Sequence, residues 1–236
     1  MSPQHREFIH TTDGEELSCT SIAPQGAPRP NRVVIMHGAG TGSKQRNIPL
    51  ARDFADVGHP TLAFDFSGHG QSTGQLSMLS LERRFIQARS VIDEFAPDGP
   101  LTLVGFSMSG QTIADLMNHY GKRVTTIVLG APAAYAPQAW KLPFGAGFTE
   151  VLRTARSWED SSVFATFGDY EGLALLVVPE FDGVIPPGVT FRVENALRRR
   201  AVFSRITFPG SPHALGLWLH DHPKDRARIV EMVTPS

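Results

Sequence analysis

The chain of 236 residues is poor in cysteine: Cys19 stands alone, so no disulfide can form within it and packing must carry the fold. Cys19 lies in an alternating run, LSCTSIAP, and reads as a small hydrophobe in a strand. Charge of one sign is missing too. The 22 Lys and Arg are balanced by 23 Asp and Glu, so nothing in the charge suggests a nucleic-acid surface or an acidic tail. No apolar run nears the length of a membrane span, and the opening MSPQHREF has no apolar core of a secretory leader. A soluble, cytoplasmic protein is therefore expected. There is no internal repeat and no low-complexity block. What is present, at 41% hydrophobic residues, suffices for a substantial core in one α/β domain or two small ones.

Taken in order, residues 6–12 and 16–22 pair as a hairpin around Asp13-Gly14, a dipeptide that favours tight turns. PQGAPRP at 24–30 is a surface linker by composition. Residues 32–36 (RVVIM) form a continuous apolar strand of the kind buried on both faces of a parallel sheet. A helix is expected at 46–57, a strand at 60–66 and an amphipathic helix at 80–95, with Leu81, Phe85, Ala88, Ile92 and Phe95 on one face. Strands follow at 101–104, 125–129, 174–178 and 205–208, with helices near 187–199 and 223–233. This alternation is that of βαβ units and predicts a mostly parallel sheet of about eight strands covered by helices on both faces. Ligands bind such sheets at the carboxyl ends of the strands. Glycine-bearing loops follow Met36, Phe66, Phe106 and Leu129, all at those ends.

One of these loops carries a nucleophile. In Gly105-Phe106-Ser107-Met108-Ser109-Gly110 a strand turns sharply into a helix, close to the pattern G-x-S-x-G that exposes a serine hydroxyl at a strained turn. Ser109 occupies the place of the second glycine. A serine hydroxyl needs a base, and the base an orienting acid. His213, straight after the last strand, is the base candidate, ahead of His220 and His222. Asp182 in PEFDGVIP, beyond the strand LALLVV, is the acid candidate, and Glu180 its rival. The order Ser…Asp…His is the one that accompanies such an elbow.

On these motifs, together with His37-Gly38-Ala39-Gly40 and Ser67-Gly68-His69-Gly70, the chain resembles the α/β-hydrolase superfamily over nearly its whole length. The run FDFSGHGQSTG, the long helix after it and the elbow are similar to bacterial serine esterases of the feruloyl/cinnamoyl type. Pro179, where a glycine usually precedes the acid by three residues, departs from that pattern, as Ser109 does. The resemblance implies a single α/β-hydrolase domain over 1–236, a Ser107–His213–Asp182 triad, and an oxyanion hole made by the N–H groups of Met108 and Ala39. His37 and His69 read as braces of their loops.

An insertion at about 133–172 is rich in aromatic residues between glycines and prolines. It is either a small lid that shapes an acyl or aryl pocket, with Tyr135, Phe144 and Phe148 as its residues, or packing for the domain. Gly38-Ala39-Gly40-Thr41-Gly42-Ser43-Lys44 resembles a phosphate loop, but Ser43 stands where both nucleotide templates need glycine. Arg198-Arg199-Arg200 suits the end of a helix. No ligand spacing for a metal and no cofactor motif is present. The expected activity is hydrolysis of a small-molecule carboxylic ester through an acyl-enzyme. The rivals are a thioesterase, acyltransferase, lactone-forming cyclase or C–C hydrolase with the same triad, and a non-catalytic binding protein on the same fold. Oligomeric state is open.

Overall fold

The computed structural model describes residues 4–234; the first three residues of MSPQHREF and the last two of the chain lie outside the described residues. One sheet of eight strands is ordered β1-β2-β4-β3-β5-β6-β7-β8. The strands are β1 (Gln4–Thr12), β2 (Glu15–Ala23), β3 (Arg32–Met36), β4 (Thr61–Phe64), β5 (Leu101–Phe106), β6 (Val124–Gly130), β7 (Leu173–Phe181) and β8 (Val202–Pro212). The helices are α1 (Ile48–Asp56), α2 (Leu81–Phe95), α3 (Ser109–Tyr120), α4 (Phe148–Arg153), α5 (Val163–Gly168), α6 (Pro187–Leu197), α7 (Leu215–Asp221) and α8 (Pro223–Val233).

β1 and β2 are antiparallel, β2 is antiparallel to β4, and all neighbours from β4 to β8 are parallel. The first hairpin closes at Asp13 and Gly14, with φ of 54° and 73°. Two successive left-handed residues match the twist of the flanking strands. The strand RVVIM serves two cores at once. Val34 and Met36 join α2, α3, α5 and α6 on one face, while Val33 and Ile35 join α1, α7 and α8 on the other. Alternate side chains of a strand point to opposite faces, so a strand covered on both sides must be apolar throughout.

Local chemistry sets the helix starts. Ser80 Oγ accepts the Arg83 N–H and caps α2, and Pro49 sits in the first turn of α1, where a missing N–H costs nothing. The helix expected at 46–57 runs from Ile48 to Asp56, and the first two expected residues belong instead to a tight turn, Lys44–Asn47. β8 is longer than the apolar run 205–208 because it pairs with β7 from Leu173 to Phe181. Its other edge faces solvent, so most of its residues are polar or exposed.

Within 133–172, α5 packs on α3 and α6 and is the helix of the β6–β7 crossover. The earlier part, with α4, forms a small core of its own. There Ala139 and Phe148 pack with Leu81 and Met108, beside the turn at Ser107. Among the described residues no helix is long and apolar enough to cross a membrane.

Candidate active site

Ser107 joins β5 to α3 with φ of 50°, a conformation a β-carbon disfavours. Neighbours hold it there. Its N–H donates to the Gly130 carbonyl at 2.8 Å, and its own carbonyl accepts the N–H groups of Gly110 at 2.9 Å and Ala133 at 3.0 Å. The turn tolerates little bulk: a β-carbon on Gly110 would lie 2.7 Å from Pro132 Cβ. On the opposite side Gly38 lets the loop after β3 approach the serine, since a β-carbon there would stand 3.2 Å from Ser107 Cβ.

The three residues drawn from distant parts of the sequence come together. His213 Nε2 lies 3.1 Å from Ser107 Oγ and His213 Nδ1 lies 3.0 Å from Asp182 Oδ2. The second oxygen of Asp182 accepts the N–H groups of Val184 at 2.8 Å and Ile185 at 2.9 Å, which fixes the carboxylate plane. In the tautomer whose Nδ1–H donates to Asp182, Nε2 is free to accept a hydrogen bond from the Ser107 hydroxyl. Glu180, the rival acid, accepts the Gly210 N–H at 2.6 Å and holds the end of β8 instead. His222 stacks on Trp218 at 3.6 Å and His220 is exposed, so neither reaches Ser107.

The N–H groups of Met108, next to Ser107 in the chain, and of Ala39, next to Gly38 in the loop after β3, have no acceptor among the described residues. His37 braces that loop. Its Nε2 accepts the Phe66 N–H at 3.1 Å and Nδ1 lies 2.5 Å from the Gly38 carbonyl. Burial, then the nearby guanidinium of Arg84, holds this imidazole well below its usual range, hence neutral. His69 packs against it at 4.7 Å, with its pKa lowered by burial in the same way. Asp65, fully buried, accepts the N–H groups of Lys44 at 2.6 Å and Gln71 at 3.0 Å, so it organises two loops. Lys44 itself turns to Glu7 at 2.7 Å on β1, and that ion pair accompanies a Glu7 carboxyl lowered to about 2. The loop that resembles a phosphate cradle is thus built around internal partners.

A cavity of about 200 Å³ opens beside Ser107, lined chiefly by Tyr135, Val151, Trp158, Val184, Ile185 and Val189. Tyr135 is among the residues expected there. Phe144 and Phe148 do not line it: their rings pack at a tilt, 4.6 Å apart, and the Phe148 ring lies 5.5 Å from that of Tyr135, so they support the wall from behind. Val151 and Trp158 belong to the same insertion; Val184 and Ile185 follow the acid, where only the loop position of Asp182 hinted at a wall. A larger groove of about 800 Å³, between Met117, Tyr170 and Arg200, lies at the amino ends of β6 and β7, away from Ser107. Under the insertion, Asp115 accepts Trp140 Nε1 at 3.2 Å and Gln111 Nε2 at 3.1 Å, and burial pushes its carboxyl up to about 6. Among the described residues no group of three His, Cys, Asp or Glu side chains could hold a metal ion.

The family model described as serine aminopeptidase, S33, matches residues 27–163. No curated protein matches the sequence. Among solved structures, Est1E from Butyrivibrio proteoclasticus, with ferulic acid bound, is similar at 17% identity and a TM-score of 0.72, over 95% of this chain and 98% of that one. The thioesterase domain of a curacin biosynthetic pathway is similar at 15% identity and a TM-score of 0.71, over 96% and 99% of the two chains. A hydrolase of Thermoplasma acidophilum described as CIB-like gives 16% identity and a TM-score of 0.70, over 97% and 96%. These likenesses establish the fold: a mostly parallel eight-stranded sheet with helices on both faces, that of the α/β hydrolases.

Proposed function

This chain belongs to the serine aminopeptidase family S33 and is an α/β hydrolase, and from that premise we propose that it cleaves carboxylic esters through Ser107, His213 and Asp182. The observation that carries the proposal is the unbroken line of contacts from Ser107 Oγ through the imidazole of His213 to the Asp182 carboxylate, at 3.1 and 3.0 Å. In this reading His213 Nε2 takes the hydroxyl proton as Oγ attacks the ester carbon. The carbonyl oxygen becomes an oxyanion that the Met108 and Ala39 N–H groups receive, at positions where charge develops. Asp182 keeps the imidazole in the tautomer that can accept a proton and stabilises its charged form. His213 returns the proton to the departing alkoxide, leaving an acyl-enzyme. Water then attacks with its proton passing to His213, and the carboxylic acid leaves with Ser107 restored.

The cavity supports a small, uncharged substrate class. Its lining holds no charged side chain, and its volume of about 200 Å³ is below the range of about 300 to 1,000 Å³ typical of drug-sized sites. A short acyl chain or a single aromatic ring suits it, which agrees in kind with the ferulic acid bound by Est1E. A peptide's ammonium end would meet no carboxylate there, so ester cleavage is favoured over the reaction in the family's name.

The insertion at 133–172 forms the roof of this cavity through Val151 and Trp158, and we assign it the part of a small cap on a single catalytic domain. Wild type and Ser107→Ala are to be compared on short aryl esters, thioesters and lactones. We expect the wild type to prefer short aryl esters and Ser107→Ala to lose at least about 10⁴-fold in kcat/KM. A variant that keeps its ester hydrolysis overturns the assignment of the nucleophile. A thioester preference moves the reading to a thioesterase with the same machinery.

A further inference from the structure

A buried cation stands behind the nucleophile without a counter-ion. Arg84, on α2, is fully buried, and no carboxylate among the described residues lies within ion-pair distance of it. Its guanidinium sits 3.7 Å over the ring of Phe66. Nη2 donates to the carbonyl of His37 at 2.8 Å and to Ser109 Oγ at 2.7 Å. Ser109 completes a triangle by donating its hydroxyl proton to the same His37 carbonyl at 2.6 Å. The remaining Nε and Nη1 groups have no partner among the described residues. Burying an unpaired cation is costly even after relaxation, so its presence calls for a physical gain elsewhere. Burial draws the Arg84 pKa down to about 9, which leaves it charged at neutral pH.

The triangle joins three segments that must keep a fixed spacing. His37 opens the loop that carries the Ala39 N–H, Ser109 follows Met108 by one residue, and α2 supplies the clamp. We infer that Arg84, acting through Ser109, is a positioning residue that locks the oxyanion loop to the nucleophile elbow. The inference rests on the triad reading above and deepens it. It also accounts for the serine at the motif's second glycine: the hydroxyl that departs from the pattern is the hinge pin between loop and elbow. A rigid pair of donors lowers the reorganisation needed when the oxyanion forms, and an uncompensated positive charge behind them favours that oxyanion. Both effects act on the transition state more than on the bound ester, so the rate constant should carry the loss.

The test compares Arg84→Met, Arg84→Lys, Ser109→Gly and wild type, with Ser107→Ala alongside, on one short aryl ester. Arg84→Met is expected to lower kcat by about 10- to 100-fold with KM changed less than about threefold. Arg84→Lys, which keeps the charge and a donor, recovers part of the loss. Ser109→Gly, which restores the motif glycine, lowers kcat by about tenfold rather than raising it, and stands in for Arg84→Met if that variant does not fold. Amide hydrogen exchange at residues 38–42 is read in the same proteins and should quicken in both. That readout needs no catalysis, so a wild type inactive on every ester would sink the triad reading while still deciding the lock. A kcat within twofold of wild type in Arg84→Met or Ser109→Gly, or unchanged exchange at 38–42, overturns the inference.

Discussion

Ser107 stands between two unlike halves. On one side Asp182 and His213 come from loops after β7 and β8, with side chains 14% and 20% exposed and one hydrogen bond linking them. On the other side His37, Asp65, His69, Arg84 and Ser109 are buried, and their hydrogen bonds tie together the loops after β3 and β4, the elbow and α2. The proposed chemistry asks for this difference. An imidazole that accepts, returns and again accepts a proton has to meet leaving groups and water. Oxyanion donors exchange nothing; they have only to be already in place. Access serves one half and rigidity the other.

The largest effect should therefore come from the open half, and it should be an effect on rate alone. Asp182→Asn keeps the shape of the loop but favours the wrong imidazole tautomer, and kcat is expected to fall by about 10³- to 10⁴-fold. Its melting temperature should stay within a few degrees of wild type, because the side chain is partly solvated and its loop bonds to Val184 and Ile185 survive. Steady-state kinetics and calorimetry on one preparation check both. A large loss of stability would show that this half is as braced as the other.

The buried half should behave in the opposite way. Gly70 has φ of 50°, and a β-carbon there would stand 2.1 Å from Asp65 Oδ2. Gly70→Ala must push the carboxylate off the Lys44 and Gln71 N–H groups that it satisfies. We expect a loss of about 3 kcal/mol or more, from strain and unsatisfied buried donors, read as a shifted denaturant midpoint. Activity measured below that midpoint should fall far less than in Asp182→Asn. Wild-type stability in Gly70→Ala would break the comparison.

The two halves also differed in how far the sequence revealed them. Ser107, Asp182 and His213 are legible because each is a reactive residue type in a loop directly after an apolar strand, and the order of such strands in a parallel sheet brings those loops to one rim. The hairpin at Asp13-Gly14 is legible because its turn chemistry is local. Arg84 and Gln87 are not. The periodicity of α2 marks Phe85 and Phe95 for the core, yet both are only half-buried, while Arg84 and Gln87 are fully buried. A charge on a helix reads as a solvated face, and nothing local says that a carbonyl from another loop waits for it. The cavity wall is hidden for a similar reason. Trp158, Val151 and Val184 meet only through the fold, whereas the more conspicuous Phe144 and Phe148 lie behind Tyr135.

Asp115 touches neither half and gives the smallest and most selective test. Burial is the main cause of its raised pKa of about 6, against an ordinary 3.8, and the bonds from Trp140 and Gln111 offset only part of it. The fold therefore prefers the neutral acid. Below about pH 3.8 the group is protonated whether the chain is folded or not and imposes no penalty. As pH rises toward 6 the unfolded chain has lost this proton while the folded chain holds it, so stability falls across that window and is flat above it. The rise from 3.8 to about 6 corresponds to about 3 kcal/mol, an upper figure for a partly accessible group. Asp115→Asn has no proton to lose and keeps an acceptor for Trp140; Gln111, whose Oε1 has no partner among the described residues, can turn to receive the new amide. Its stability should match wild type near pH 4 and exceed it by about 1 to 3 kcal/mol at pH 7, with kcat unchanged within about twofold. Denaturant titrations at a series of pH values measure the difference directly. If the two curves run parallel from pH 4 to 7, the carboxylate is already ionised at ordinary pH in the fold, and the space under the insertion is wetter than its packing shows.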